Sequence, residues 1–231
     1  MAGVSRYPSS TTFSYFLDAP DPIYGTGGDG NATISANTSL SSDMYYYNLT
    51  IADSVTLTTN GYRLFVKNIL QLGNASVIGF STGSTATGSI KGGGATNSAV
   101  THSLGGSSAA QTATAPTAAL GGTKYYTIPF QAVRGYAVTA SSTTPTFLTG
   151  GAGGASAAGG GVVIVAARYI TCTATTTNAK FAAPGTAGAG GGGGGVVLII
   201  SSAAALPSNV STDVTGGTGA SAGTVNYMQL V

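Results

Sequence analysis

The chain has 231 residues, and Gly, Ala, Thr and Ser together make up about 57% of them, with 37 glycines alone. Only 6% are charged, all six acids are Asp, and eight Lys and Arg leave a net charge of +2; an average soluble domain carries roughly 25% charged residues. That composition argues against helical bundles, coiled coils, nucleic-acid binders and most enzyme classes, and it allows only a thin core.

Disordered chains combine low hydropathy with high net charge, whereas here the mean hydropathy is +0.27. With so little charge to keep copies apart, such a chain folds tightly, assembles or aggregates.

The first stretch, residues 1–29, interleaves Tyr7, Phe13, Tyr15, Phe16, Leu17, Ile23 and Tyr24 with Pro8, Pro20 and Pro22. Prolines prevent regular pairing while aromatics supply apolar area, which describes an extended anchoring arm. Residues 30–80 alternate apolar and Thr/Ser/Asn positions, as in Leu49/Ile51 and Val55/Leu57. That is the period of strands buried on one face. Asn60-Gly61 and Gly73-Asn74 read as turns between them. Short strands with no helical stretch between them predict an all-β core, either rungs of a β-solenoid or a sandwich.

Residues 81–148 are rich in Gly, Ser, Thr and Ala, with one apolar island from Lys124 to Phe130 that contains Tyr125 and Tyr126. They read as a long surface excursion. Residues 149–231 repeat: Gly159-Gly-Gly-Val-Val-Ile-Val165 aligns with Gly193-Gly-Gly-Val-Val-Leu-Ile199 at a spacing of 34, and Gly223 to Leu230 is a looser third copy. A period of this size predicts stacked units sharing one elongated core. Glycine is costly to order, so tracts abutting buried-type strands call for close backbone approach, as in a bundle of polyglycine helices; the alternative is an exposed loop.

Little in the chain carries chemistry. The only imidazole, His102, lies in the excursion, and no nucleophile elbow or phosphate-binding loop occurs. Asp29, Asp43 and Asp53 look like turn residues at strand ends rather than paired catalytic carboxylates. Asp18 and Asp21 lack the spacing of a calcium loop. Basic residues are dispersed, which disfavours nucleic acid. The lone Cys172 excludes an intrachain disulfide framework or Cys-rich zinc site and reads as a buried spectator thiol. The expectation is therefore no catalytic, metal or cofactor site. Tyr45-Tyr46-Tyr47 and Tyr125-Tyr126 are the notable polar-aromatic sets; alternate rings on a strand face outward, and they suit partner or sugar contacts as well as core packing.

Met1 to Ser14 has one Arg and no apolar leader segment, and the longest apolar runs, Val162 to Ala167 and Val196 to Ile200, are far short of the roughly 20 residues that span a bilayer. Synthesis in a cytoplasm without membrane insertion is expected.

The segment from Asp29 to Lys67, with Tyr45-Tyr-Tyr-Asn-Leu-Thr-Ile51 and Asn60-Gly-Tyr-Arg-Leu-Phe-Val66, followed by glycine tracts, resembles a module of glycine-rich virion proteins of tailed bacteriophages, found in head-decoration, head-fibre and tail-adhesin proteins. The likeness covers residues 28–72, and residues 150–231 in composition and rhythm only. It implies a non-enzymatic structural or binding protein of the virion, and by analogy a homotrimer. The leading expectation is a head decoration or cement protein bound to the major capsid protein or other virion proteins. The alternative is a tail adhesin recognising a host polysaccharide or outer-membrane protein. Tyr7, Phe13, Tyr15, Phe16 and Tyr24 of the arm, with Tyr125 and Tyr126, are the expected partner-binding residues.

Overall fold

A computed structural model describes residues 23–80 and 150–230 of the chain. All regular structure among them is strand: β1 (Asn31–Ile34), β2 (Thr38–Ser39), β3 (Met44–Tyr46), β4 (Asn48–Ile51), β5 (Thr56–Thr58), β6 (Leu64–Leu72), β7 (Val77–Gly79), β8 (Val162–Cys172), β9 (Ala179–Ala182), β10 (Val196–Ser201), β11 (Val210–Asp213) and β12 (Thr224–Gln229). The protein is all-β in these residues.

Two sheets hold the strands. The larger runs β1-β4-β6-β8-β10-β12, with β3 also on β6, and the smaller runs β11-β9-β7-β5-β2. Every pairing is parallel. From β4 onward the chain alternates between them, laying one strand in the larger sheet and the next in the smaller. Asn60 and Gly61, both at positive φ, accordingly form a turn that carries the chain from β5 in one sheet to β6 in the other, not a hairpin.

Between the sheets lies the main core, including Leu49, Ile51, Leu57, Leu64, Leu70, Ile78, Val163, Val165, Phe181, Val197 and Ile199. The other face of the larger sheet is apolar too: Phe65, Val162, Ile164, Ala166, Val196, Leu198 and Ile200 form a second buried cluster with Tyr24. Burial on both faces explains why β8 and β10 open with uninterrupted apolar runs, whereas β4 alternates. The repeat copies lie side by side, Val162 against Val196 and Val196 against Thr224, in register.

The glycine tracts precede β8 and β10 and are buried over residues 150–154, 157–161 and 191–195. They bond to one another outside any ladder: Gly151 N–H donates to Gly160 O at 2.8 Å, Gly160 N–H to Gly193 O at 2.9 Å, and Gly193 N–H to Ala152 O at 2.8 Å. Gly217 N–H in turn donates to Gly192 O at 2.8 Å. A Cβ added at Gly151, Gly159 or Gly192 would stand 2.1, 1.9 and 1.9 Å from a neighbouring carbonyl oxygen. Only glycine permits that spacing. The sequence alternative of an exposed loop does not describe these buried segments.

Candidate functional site

Five polar side chains between Asp29 and Asp53 share one task. Asp29 Oδ2 accepts from Tyr45 N–H, Asn37 Oδ1 from Thr56 N–H, Asp43 Oδ1 from Arg63 N–H, Asn48 Oδ1 from Ile69 N–H and Asp53 Oδ1 from Asn74 N–H, at 2.6–3.1 Å. The partners are 16 to 21 residues apart, so each oxygen holds backbone well beyond its own turn. Asn48 Nδ2 also donates to Asn31 Oδ1, and Asn68 Nδ2 to Asn48 Oδ1, both at 2.9 Å, making an amide ladder across the neighbouring strands β1, β4 and β6. Asn74 does the same over about a hundred positions of chain, accepting from Thr176 and Thr177 N–H.

The described carboxylates are thereby committed. Asp43 pairs with the Arg63 guanidinium as well as its N–H. Burial opposes charge on Asp213, but bonds from the Thr215 hydroxyl and amide and the nearby Lys180 ammonium outweigh it and hold the carboxyl below its ordinary value. Among the described residues no group of three His, Cys, Asp or Glu could hold a metal, and no helix is long and apolar enough to cross a membrane. A shallow recess of about 460 Å3 is lined by Thr50, Ile51, Ala52, Asp53, Gln71, Gly73 and Thr173, and its one carboxylate is the bonded Asp53. Cys172 is half-buried, its Sγ 3.5 Å from Asn209 O.

Of the expected partner-binding residues, Tyr7, Phe13, Tyr15, Phe16, Tyr125 and Tyr126 lie outside the described residues, as do His102, Asp18 and Asp21. Tyr24 is only 2% exposed, packed in the second cluster. Its hydroxyl is buried with no hydrogen-bond partner, and burial pushes it up to about 12 although Arg168 pulls the other way. The three consecutive tyrosines part as alternation requires. Tyr46 joins the main core, Tyr45 stacks on Phe65 at 4.9 Å between centroids with Arg63 over the Phe65 ring, and Tyr47 is 45% exposed.

Tyr47 stands on a surface assembled from distant parts of the chain. Ile69 and Tyr169 are exposed as well and pair across β6 and β8, beside Lys67 and Arg168. The tyrosine run marks Tyr47 in the chain, but Lys67 and Ile69 on one side and Arg168 and Tyr169 on the other come from stretches about a hundred positions apart, so no run of charge or aromatics marks those four.

No family model matches the chain, and no curated protein or solved structure matches it either.

Proposed function

We propose that the protein is a non-enzymatic structural component of a tailed-bacteriophage virion, a head decoration or cement protein that binds the major capsid protein or another virion protein as a homotrimer. In this reading the paired sheets are a β-solenoid, and the glycine segments beside them are a bundle of polyglycine helices stacked at one side. Residues 1–29 anchor, and the layered body stands on the particle. The protein is assembled into virions in the bacterial cytoplasm.

The observation that carries the reading is the use of polar groups. Asp29, Asp43 and Asp53, with the Asn31–Asn48–Asn68 ladder, are spent on joining one layer to the next. Carboxylates that hold the backbone amides of neighbouring strands and turns serve rigidity. The sequence resemblance supplies the particle.

Copy number tests it. The chain is quantified against the major capsid protein in purified particles; a ratio near one per capsid subunit or per capsid three-fold supports head decoration. A ratio of a small fraction moves the protein to the tail or a vertex fibre, the adhesin reading that the exposed Tyr47 and Tyr169 favour. Absence from particles refutes both.

A further inference from the structure

Three of the large apolar side chains exposed among the described residues, Tyr47, Ile69 and Tyr169, gather at one place on the larger sheet. It is where the pairing of β6 with β8 shifts register. Val66 pairs with Ala167 and Ile69 with Tyr169, so Lys67 and Asn68 together oppose the single residue Arg168. Such a bulge re-aims side chains and recurs beside binding sites.

The residues there are neighbours. A Cβ placed on Gly27 would lie 3.3 Å from both Lys67 Cδ and Tyr47 Cδ2, so these two side chains flank one glycine. The Arg168 guanidinium sits 5.6 Å from the centroid of the Tyr169 ring. Two cations opposed across neighbouring strands repel. The ion pairs among the described residues are Arg63–Asp43 and Lys180–Asp213, and neither relieves Lys67 or Arg168. An anion between the two cations would.

The backbone at this place is already spent: Tyr47 N–H donates to Gly30 O, Asn68 N–H to Tyr47 O and Ser202 N–H to Arg168 O. Ile69 N–H donates to Asn48 Oδ1. A peptide therefore cannot add here as a strand, which needs a free edge. Recognition must use side chains alone, and what they offer is two exposed phenol rings, an aliphatic face and two cations. Amphipathic rings stack on the C–H faces of sugars while guanidinium and ammonium groups bind carboxylates.

We propose that the surface formed by Tyr47, Lys67, Ile69, Arg168 and Tyr169 binds an anionic glycan, its carboxylates between Lys67 and Arg168 and its sugar rings on Tyr47 and Tyr169. The inference does not depend on where the protein sits on a particle.

The test is calorimetric titration of the full chain with oligogalacturonate, with neutral dextran and poly-glutamate of matched charge as comparisons. Saturable binding is expected, weakening as salt rises. Tyr169→Ala, and separately the pair Lys67→Gln with Arg168→Gln, should each weaken it about tenfold, the scale of one stacking or charge-assisted contact. Tyr169→Phe should keep it, because stacking needs the ring. Unchanged melting temperatures in these exposed variants separate lost binding from lost folding, and Tyr47→Ser is the substitute if one variant melts early. No binding of oligogalacturonate, equal binding by the variants, or poly-glutamate binding as tightly as the glycan would overturn the proposal; the last would mark an acidic-peptide surface.

Discussion

Asp43 accepts from the Arg63 backbone N–H at 2.7 Å and from its Nε at 2.8 Å, and the guanidinium's second nitrogen closes the pair. Both side chains are mostly buried. Truncation to Asp43→Ala would take the carboxylate away from both the mostly buried guanidinium and the Arg63 N–H. A loss of about 2–3 kcal/mol is expected by urea denaturation, with Asp43→Asn costing less because one acceptor remains. Tyr24 separates the worth of a ring from that of its hydroxyl. The ring packs in the second cluster, so Tyr24→Ala should cost about 3 kcal/mol or more. The buried, unpartnered hydroxyl contributes nothing to match its lost hydration, so Tyr24→Phe should be neutral or stabilising. The pH dependence follows in sign. With the phenol raised from 10.0 to about 12 in the fold, the contribution of the neutral form is intact below the unfolded value and is lost as pH rises through that window. Melting curves taken along the alkaline limb should show a decline that is shallower in Tyr24→Phe; an identical decline would mean that Tyr24 is not the group responsible.

At the scale of elements, the glycine segments and the strands obey different rules. A methyl at Gly151 would stand 2.1 Å from Gly193 O, inside a bonded backbone lattice with no flexible side chain to give way. Gly151→Ala should therefore cost about 3 kcal/mol or more, at the upper end of overpacking. Gly30 has nothing within 4 Å but a φ of +69°, so Gly30→Ala should cost about 1 kcal/mol of conformational strain only. Equal costs in urea denaturation would contradict the lattice. The strands themselves were largely legible: alternation marked β4 and β5, and the spacing of 34 placed β8 and β10 as neighbours. Asp29, Asp43 and Asp53 were legible as turn residues, and their oxygens do hold turn and strand-end amides. What stayed hidden was pairing partner and direction. Alternation sets which face is buried and says nothing of whether the next strand joins the same sheet. The offset of 16 to 21 residues between a side-chain oxygen and its amide becomes visible only once layers are stacked. The grouping of Lys67 with Arg168 was hidden for the same reason, since β6 and β8 are adjacent in the sheet but lie about a hundred positions apart in the chain.

For the molecule as a whole, the decisive pairing is β6 with β8, which runs on both sides of the bulge from Leu64–Val165 to Leu72–Cys172. Residues 30–80 and 149–231, distinct in composition, thus share both sheets, since β7 also pairs with β9. Produced alone, residues 23–80 would leave the β8-facing edge of β6 and the apolar residues beside it uncovered. We expect that fragment to be unfolded or aggregated, and the full chain to unfold in one urea transition by circular dichroism; a soluble, cooperatively folded fragment would contradict the shared core. Glycine tracts, ordinarily linker material, here form a hydrogen-bonded part of the body. Amide hydrogen exchange tests this most directly. Gly151, Gly160, Gly193 and Gly217, each a donor to a neighbouring segment, should exchange as slowly as the amides of β8 and β10. Exchange of these glycines at the rate of an unstructured chain, with β8 and β10 still protected, would contradict it.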